Sequence, residues 1–430
     1  MPSAPVNLCC DARAPHRQSA PGGSPSALLI PDQPRPKNRV LFVDDEQPML
    51  RVLTMGMRSM TSHWDMEFAS SGEEALTLAR KKPFDVVVTD MRMSGMNGAQ
   101  LLNHIFRLSP QTVRIVLSGY SDLSEVVNCV GLTHQFLGKP CSLEDLRHCI
   151  KHVTEVKSRL QNDRLAALVA GLKNLPSVPE LYLQIADVLQ SPNASSQRIA
   201  ELAAQDPALS AKLLQLSNSA FFGFSHQIFS VEEAVQLLGV TVIQTLSLAV
   251  PLFSGFDRRK FPSFPIDQLW HHSAQTGALG RQLFKKHLED QQLLKPAFAA
   301  GVLHDIGKLI LADGLPAEYA QVYAESQETA TPLHEVERKQ FGATHAEVGA
   351  YLLALWGLPI PLVEAVACHH HPHRCGNKSI CLAGIVHIAN ALQHAQAKHA
   401  NMVPSPVSQD YLKHLNLAEQ FEAWQAELTE

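Results

Sequence analysis

Two sets of residues in this 430-residue chain have types and spacing suited to chemistry. The first is acidic. Asp44 and Asp45 close the apolar run Val40 to Val43, and Asp90 follows Val86, Val87, Val88 and a threonine. Ser118 follows the run Val113 to Leu117, and Lys139 lies just past Gln135, Phe136 and Leu137. Carboxylates gathered at one edge repel one another, so a divalent cation is their natural neutraliser. Mg²⁺ suits a site of carboxylates, waters and phosphate oxygens. A carboxylate held against Mg²⁺ and a phosphoryl donor can attack phosphorus and form an aspartyl phosphate. That step also calls for a hydroxyl and a fixed cation to hold the phosphoryl oxygens, types that Ser118 and Lys139 supply. The second set is imidazole: 13 of the 21 histidines fall between His271 and His399.

The acidic residues meet only if the runs before them are neighbouring strands. From Arg39 to about Ile150 short apolar runs alternate with stretches at helical spacing. Met66 to Ala69 and Gln135 to Leu137 are weaker strand candidates. Five strands alternating with five helices imply a doubly wound parallel sheet, whose chemistry sits on the loops after the strand C-termini. Leu143, Leu146, Ile150 and Val153 keep a 3-4 spacing, and the stripe resumes off register at Val156 and Leu160. A linker helix over 155–165 is expected, able to pair in a homodimer or to serve as a solvated connector. Beyond about Leu165 apolar residues recur at helical spacing, with breaks at Pro176, Pro179, Pro192, Pro207 and Gly223, which predicts an all-helical second half.

The first 36 residues hold 8 of the 27 prolines and read as a disordered leader, with Cys9 and Cys10 read as plain exposed thiols in preference to a redox or lipid site. At roughly 150 residues per domain the length allows two to three domains. A hydrophobic fraction of 45% and a net charge of −5 exclude a broad nucleic-acid-binding surface. No apolar run is long enough for a membrane span, and the N-terminus lacks the basic start and apolar core of a secretory signal. Eight irregularly spaced cysteines fit free thiols, so a cytoplasmic protein is expected.

The segments VLFVDDE (Val40 to Glu46), VVVTDMRMSGMNG (Val86 to Gly98), IVLSGYSD (Ile115 to Asp122) and FLGKP (Phe136 to Pro140) resemble a response-regulator receiver domain. The resemblance implies that Asp90 is the phosphoacceptor and that Asp44, Asp45, Asp90 and the main-chain carbonyl of Arg92 hold Mg²⁺. It further implies that Ser118 and Lys139 grip the phosphoryl group, and that Phe136 is the aromatic switch that reorients with Ser118. Ser94 stands where the family usually has proline, which relaxes that loop and removes no reactive group. Arg92 and Tyr120, both bulky, sit where family members tune access of hydrolytic water, and predict slow loss of the phosphoryl group.

The second half resembles the HDOD family, a signalling relative of the HD metal-dependent phosphohydrolases. The marks come in order: LPSVPEL (Leu175 to Leu181), AQDPALSAKLLQLSNSAFFG (Ala204 to Gly223), AVQLLG (Ala234 to Gly239) and LWHHS (Leu269 to Ser273). AGVLHDIGKLIL (Ala300 to Leu311), FGATHAEVGAYLLALWGLP (Phe341 to Pro359) and the His369–His370 pair follow. By that resemblance His272, His304, Asp305, His345, His369 and His370 are candidates for a divalent-metal site between helices, with Lys308 one turn on and able to meet a phosphate. Asn390 stands where catalytic HD proteins place their last aspartate, and a neutral amide balances metal charge poorly. The glycine-tyrosine-proline loop of the cyclic-di-GMP-hydrolysing relatives is missing. The alternative, that these histidines are hydrogen-bonded core residues inherited with the fold, stays open. Cys368, Cys375 and Cys381 form a competing metal candidate, spaced C-x6-C-x5-C rather than in the close pairs of structural zinc modules.

The expected fold class is α/β plus all-α: a flavodoxin-like, doubly wound five-stranded parallel sheet followed by an HD-like helical bundle. The expected layout is a leader (1–36), a receiver (37–154), a linker helix (155–165), an HDOD domain (166–372) and a helical C-terminal extension (373–430). Function is expected to be phosphorelay signalling. A sensor histidine kinase phosphorylates Asp90 with Mg²⁺, and a non-catalytic HDOD module passes the change to a downstream protein partner, with no DNA or membrane contact. The alternative is a receiver-regulated, metal-dependent HD-type phosphohydrolase acting on a nucleotide or phosphoester.

Overall fold

The structure is a computed structural model. It describes residues 37–119, 131–159, 162–172, 195–219, 226–249, 264–285, 291–375, 380–396 and 403–428, with isolated positions between these stretches. The leader with Cys9 and Cys10, Tyr120 and the linker-stripe residue Leu160 lie outside the described residues.

The first half runs β1 (Asn38–Val43), α1 (Gln47–Gly56), β2 (Trp64–Ala69), α2 (Gly72–Lys81), β3 (Val86–Asp90), α3 (Gly98–Leu108), β4 (Val113–Ser118), β5 (Gln135–Gly138) and α4 (Leu143–Arg159). All strand pairs are parallel and the order is β2-β1-β3-β4-β5, the expected doubly wound sheet. Every residue of β3 and β4 is buried, as strands covered by helices on both faces require. The weaker signals of β2 and β5 belong to the edge strands, which keep partly exposed positions. Register aligns Val43 with Thr89 and Asp90 with Leu117, so the ends of β1, β3 and β4 meet at one edge.

The linker departs from expectation. One helix over 155–165 is expected, but α4 ends at Arg159 and a new helix, α5 (Asp163–Ala170), starts at Asp163. Asn162 causes the restart: its Oδ1 accepts from the Leu165 N–H as an N-cap while its Nδ2 donates to the Phe341 carbonyl in the helical half.

The second half continues with β6 (Leu175–Ser177), α6 (Ser196–Ala203), α7 (Pro207–Ser217), α8 (Val231–Ala249), β7 (Phe253–Gly255), α9 (Ile266–Lys285), α10 (Gln291–Leu303) and α11 (Ile306–Gly314). There follow α12 (Pro316–Thr329), α13 (Leu333–Phe341), α14 (His345–Leu355), α15 (Ile360–Cys368), α16 (Leu382–Gln396), α17 (Gln409–His414) and α18 (Ala418–Glu427). The half is a helical bundle, with the correction that β6 and β7 form a small parallel pair. Pro176 lacks the N–H a helix would use, and a two-stranded edge tolerates it. Helix α16 lies beyond residue 372 yet packs on α9, α10 and α15, and Trp424 of α18 meets Phe284 of α9 edge-on at 5.4 Å.

The two halves share a buried polar seam along β4 and β5. Gln135 Nε2 donates to the Leu355 carbonyl (2.7 Å), and Gln215 Nε2 donates to the His134 carbonyl (3.1 Å). Arg114 Nη2 and His134 Nε2 both donate to the Ala170 carbonyl, at 2.9 and 3.1 Å. Lys212 lies 3.8 Å from the centre of the Trp356 ring and donates to Gln215. Burial pulls the Lys212 ammonium down to about 7 and the Arg114 guanidinium to about 9.

Candidate functional site

The sheet edge gathers the acidic set. The carboxylates of Asp44, Asp45 and Asp90 offer oxygens within 4.8 Å of one another. Lys139, carried just past β5, places Nζ 2.8 Å from Asp90 Oδ1 and 3.4 Å from Asp44 Oδ2. Gly98 lets the N-terminus of α3 close on this edge, since a Cβ there would sit 2.2 Å from the Asp90 carbonyl oxygen. Burial raises the Asp90 carboxyl and Lys139 only partly opposes it, whereas the Ser94 backbone N–H holds Asp45 low. Burial also lowers the Lys139 ammonium, but its hydrogen bond and charge contacts with Asp90 and Asp44 outweigh that and leave it raised. Ser118 is fully buried at the end of β4, opposite Gly138 of β5, and Phe136 is buried two residues earlier. Arg92 is exposed two residues beyond Asp90. Three carboxylates facing one ammonium leave negative charge, which fits a hard divalent cation with oxygen ligands.

Ser94 does more than relax its loop. Its N–H and hydroxyl both bond to Asp45 Oδ2, at 2.7 and 2.9 Å. The family's proline could not donate that N–H, so the departure orients an acidic side chain.

The histidine set also assembles. Asp305 is its hub: His345 Nε2 lies 3.2 Å away, His304 Nε2 3.3 Å, His369 Nε2 3.8 Å and His272 Nε2 3.9 Å. The Nδ1–H of His304 donates to the Gly301 carbonyl (2.6 Å), and that of His369 to the Val366 carbonyl (2.8 Å). A ring anchored through Nδ1–H keeps its Nε2 lone pair pointing inward, the tautomer a metal ligand needs. His272 Nε2, His304 Nε2, His369 Nε2, Asp305 Oδ1 and Asn390 Oδ1 are buried with no hydrogen-bond partner. Such a set of imidazoles with a carboxylate fits a borderline divalent ion. His345 Nδ1 bonds Glu337 (2.6 Å), and His370 Nε2 meets His345 Nε2 at 2.9 Å. Burial lowers His345, but Glu337 and Asp305 more than compensate, and its pKa is raised; burial leaves His272, His369 and His370 well below the ordinary imidazole value.

Two further features shape the hub. Lys308 Nζ lies 2.6 Å from Asp305 Oδ2, so a fixed ammonium already neutralises the carboxylate at the centre of the hub. The cavity beside the cluster, lined by Lys308, His334, His345, His370, Asn390 and His394 among others, holds about 20 Å³. That suits one water, against roughly 300 Å³ or more for ligand pockets. Glu337 and His334, which stacks on His370 at 3.9 Å, escaped sequence analysis because neither has a spacing that marks it.

A phosphoryl-type acidic edge on a five-stranded parallel sheet, joined to a helical bundle with a buried histidine cluster, defines a receiver with an attached HD-like module. Comparison agrees. Residues 40–151 match the response regulator receiver domain and residues 175–372 the HDOD domain, so the chain carries a receiver domain followed by an HDOD domain. An uncharacterized protein of Treponema pallidum is 31% identical over 226 residues, covering 51% of this chain and 42% of that protein. The hydrogenase transcriptional regulatory protein HoxA of Cupriavidus necator is 32% identical over 127 residues, covering 29% of this chain and 25% of its own. The two-component response regulator ARR12 of Arabidopsis thaliana is 35% identical over 131 residues, covering 29% and 21% respectively. The chain thus spans less than half the length of these curated relatives. Among solved structures, the MmoQ response regulator of Methylococcus capsulatus aligns over 60% of this chain and 98% of its own, at 23% identity and a TM-score of 0.47. Receiver domains of response regulators use Mg²⁺ and are phosphorylated by histidine kinases. No helix among the described residues is long and apolar enough to cross a membrane.

Proposed function

We propose that Asp90 accepts a phosphoryl group from a sensor histidine kinase and that the helical half reads the change as a non-catalytic, partner-binding module in the cytoplasm. The observation that carries this reading is the convergence of Asp44, Asp45 and Asp90 with Lys139 2.8 Å from Asp90. Mg²⁺, held by Asp44, Asp45, Asp90 and the main-chain carbonyl of Arg92, would supply charge neutralisation for the phosphoryl oxygens. The Asp90 carboxylate is the nucleophile. Lys139 already spans Asp44 and Asp90, so its ammonium is placed to hold a phosphoryl oxygen, and the Ser118 hydroxyl lies on the adjoining strand end.

Transmission follows β5. Phe136 packs inside the receiver, while its neighbour Gln135 bonds Leu355 of the helical half. A shift of Ser118 and Phe136 toward the new charge moves the strand that carries Gln135 and His134, and so loads the seam between the halves.

Incubation with Mg²⁺ and acetyl phosphate tests the first step. A labile adduct of about 80 Da, one phosphoryl group, is expected on the chain and not on Asp90→Asn; an adduct that persists in the variant rejects Asp90. Hydrogen exchange near residues 133–135 and 355 should change with labelling, and an unchanged seam rejects the proposed route.

A second reading, a metal-dependent phosphohydrolase, is favoured by the unpaired Nε2 atoms of His272, His304 and His369. It requires substrate room beyond the 20 Å³ cavity. Metal analysis with a screen of nucleotides, cyclic dinucleotides and phosphomonoesters separates the two; turnover abolished by Asp305→Ala establishes the hydrolase.

A further inference from the structure

The chain beyond the matched HDOD residues returns to the histidine hub. A non-helical stretch, Val403 to Ser408, leads into α17, and its Val403 and Ser405 complete the wall of the small cavity that Lys308, His345, Asn390 and His394 also line. Burial alternates along it: Val403, Ser405 and Val407 are half-buried, while Pro404 and Pro406 are exposed. That is the period of an extended segment with one face on the bundle, and the two proline rings stiffen it.

The segment is anchored firmly at one end and lightly along its length. The Ser408 N–H donates to His387 Nε2 (2.9 Å), and the His387 Nδ1–H donates in turn to the His369 carbonyl (2.7 Å). The Ser408 hydroxyl caps α17 by accepting from the Tyr411 N–H (3.3 Å), and Tyr411, Leu412 and Trp424 beyond it are buried. From Val403 to Val407, by contrast, no backbone group bonds to a described residue. One side-chain contact holds that stretch: Ser405 Oγ lies 3.2 Å from His370 Nδ1. His370 Nε2 meets His345 Nε2 at 2.9 Å, and His345 Nε2 lies 3.2 Å from Asp305 Oδ1, so the Ser405 contact is the outer end of a chain to the hub.

What the segment covers is polar. Asn390 Oδ1 and His394 Nδ1, both from residues of the cavity wall, are buried without a hydrogen-bond partner among the described residues. Unpaired buried polar atoms cost stability, and one water satisfies them only in part. A cover seated on such a wall by a single side-chain contact loses little when it lifts and lets water reach those atoms. We propose that Val403–Ser408 is a strap that closes the histidine hub and opens about Ser408. The one-water size of the cavity is then a property of the closed strap and not of the bundle. Opening bares His370, and His345 behind it, to small polar solutes, while α17 and α18 stay seated.

The test is carbethoxylation of the full chain by diethyl pyrocarbonate, mapped residue by residue by mass spectrometry. In the unaltered chain the exposed His371 and His373 should react at least about tenfold faster than His370. Two variants lift the strap by different means. Val403→Trp puts a side chain too large for the cavity on its wall, and Pro404→Gly with Pro406→Gly removes the stiffening rings. In both, His370 should react at least about fivefold faster, with His371 unchanged as the internal standard and His387, bonded at the hinge, still slow. The proposal is overturned if His370 keeps pace with His371 in the unaltered chain or if neither variant speeds it. Equal acceleration of His387 would also overturn it, since the whole C-terminal extension would then have come away. The labelling needs neither Mg²⁺ nor Asp90, so its outcome is separate from that of the phosphorelay reading.

Discussion

The sheet edge and the helical hub are built from the same kinds of group, yet they differ in charge and in exposure. At the edge, three carboxylates face one lysine, and the Asp90 and Lys139 side chains keep 11% and 27% of their exposure. At the hub, Asp305 faces one lysine and four imidazoles, Glu337 backs one of those imidazoles, and Asp305, His304 and His369 are 1% exposed or less. The edge is short of positive charge and open to a phosphoryl donor. The hub is buried, and its Asp305 is already paired with Lys308. Residue type alone does not make a reaction centre; charge imbalance with access does.

The sharpest break of this contrast is a pair of substitutions. Asp90→Asn should remove acetyl-phosphate labelling, a loss of about a hundredfold or more, while Asp305→Asn leaves it unchanged by mass spectrometry. Equal loss in both would erase the distinction between edge and hub.

Stability should show the reverse order. Asp305→Ala strands the buried Lys308 ammonium and should cost about 3–5 kcal/mol in urea unfolding. A cost under about 1 kcal/mol would mean that the hub is not held by its charges.

The seam gives a pH-dependent test. The Lys212 amine is pulled to about 7 when folded, below its ordinary value of 10.5. Between those two values the unfolded chain binds a proton that the folded chain does not, so stability rises with pH across that window and its full cost is present below pH 7. Lys212→Met should flatten this slope and stabilise the chain by about 1–4 kcal/mol at pH 6. An unchanged slope would remove Lys212 as its source.

Smaller still, Gln135→Ala should cost about 1 kcal/mol and speed exchange of amides around Leu355 without altering labelling of Asp90. The smallest effect is expected of Ser94→Pro, which removes both donors to Asp45. Mg²⁺ affinity measured by fluorescence should fall about two- to threefold; an unchanged affinity would show that these bonds do not orient the ligand.

Much of the receiver half was legible in the chain. Buried central strands read as unbroken apolar runs, and their acidic ends follow directly, because a parallel sheet must bring strand C-termini to one edge. The edge strands β2 and β5 read weakly because half-exposed positions dilute the pattern. The histidines could be counted but not sorted. Which nitrogen faces the hub depends on the Gly301 and Val366 carbonyls, and the partner of His345 is Glu337, on another helix. The linker misled because Asn162 caps a new helix while its side chain is held by a carbonyl of Phe341, nearly 180 residues away in sequence.

The sequence by itself determined the two folds, their order and the three carboxylates with their serine and lysine, because hydrophobic period and strand-end position are local properties of a chain. Tertiary structure alone decided that Lys308 neutralises Asp305, that the cavity beside it holds a water's volume, and that β5 leans on the helical half through Gln135. Charge balance, access and coupling depend on distances between residues far apart in the chain, and only packing sets those distances.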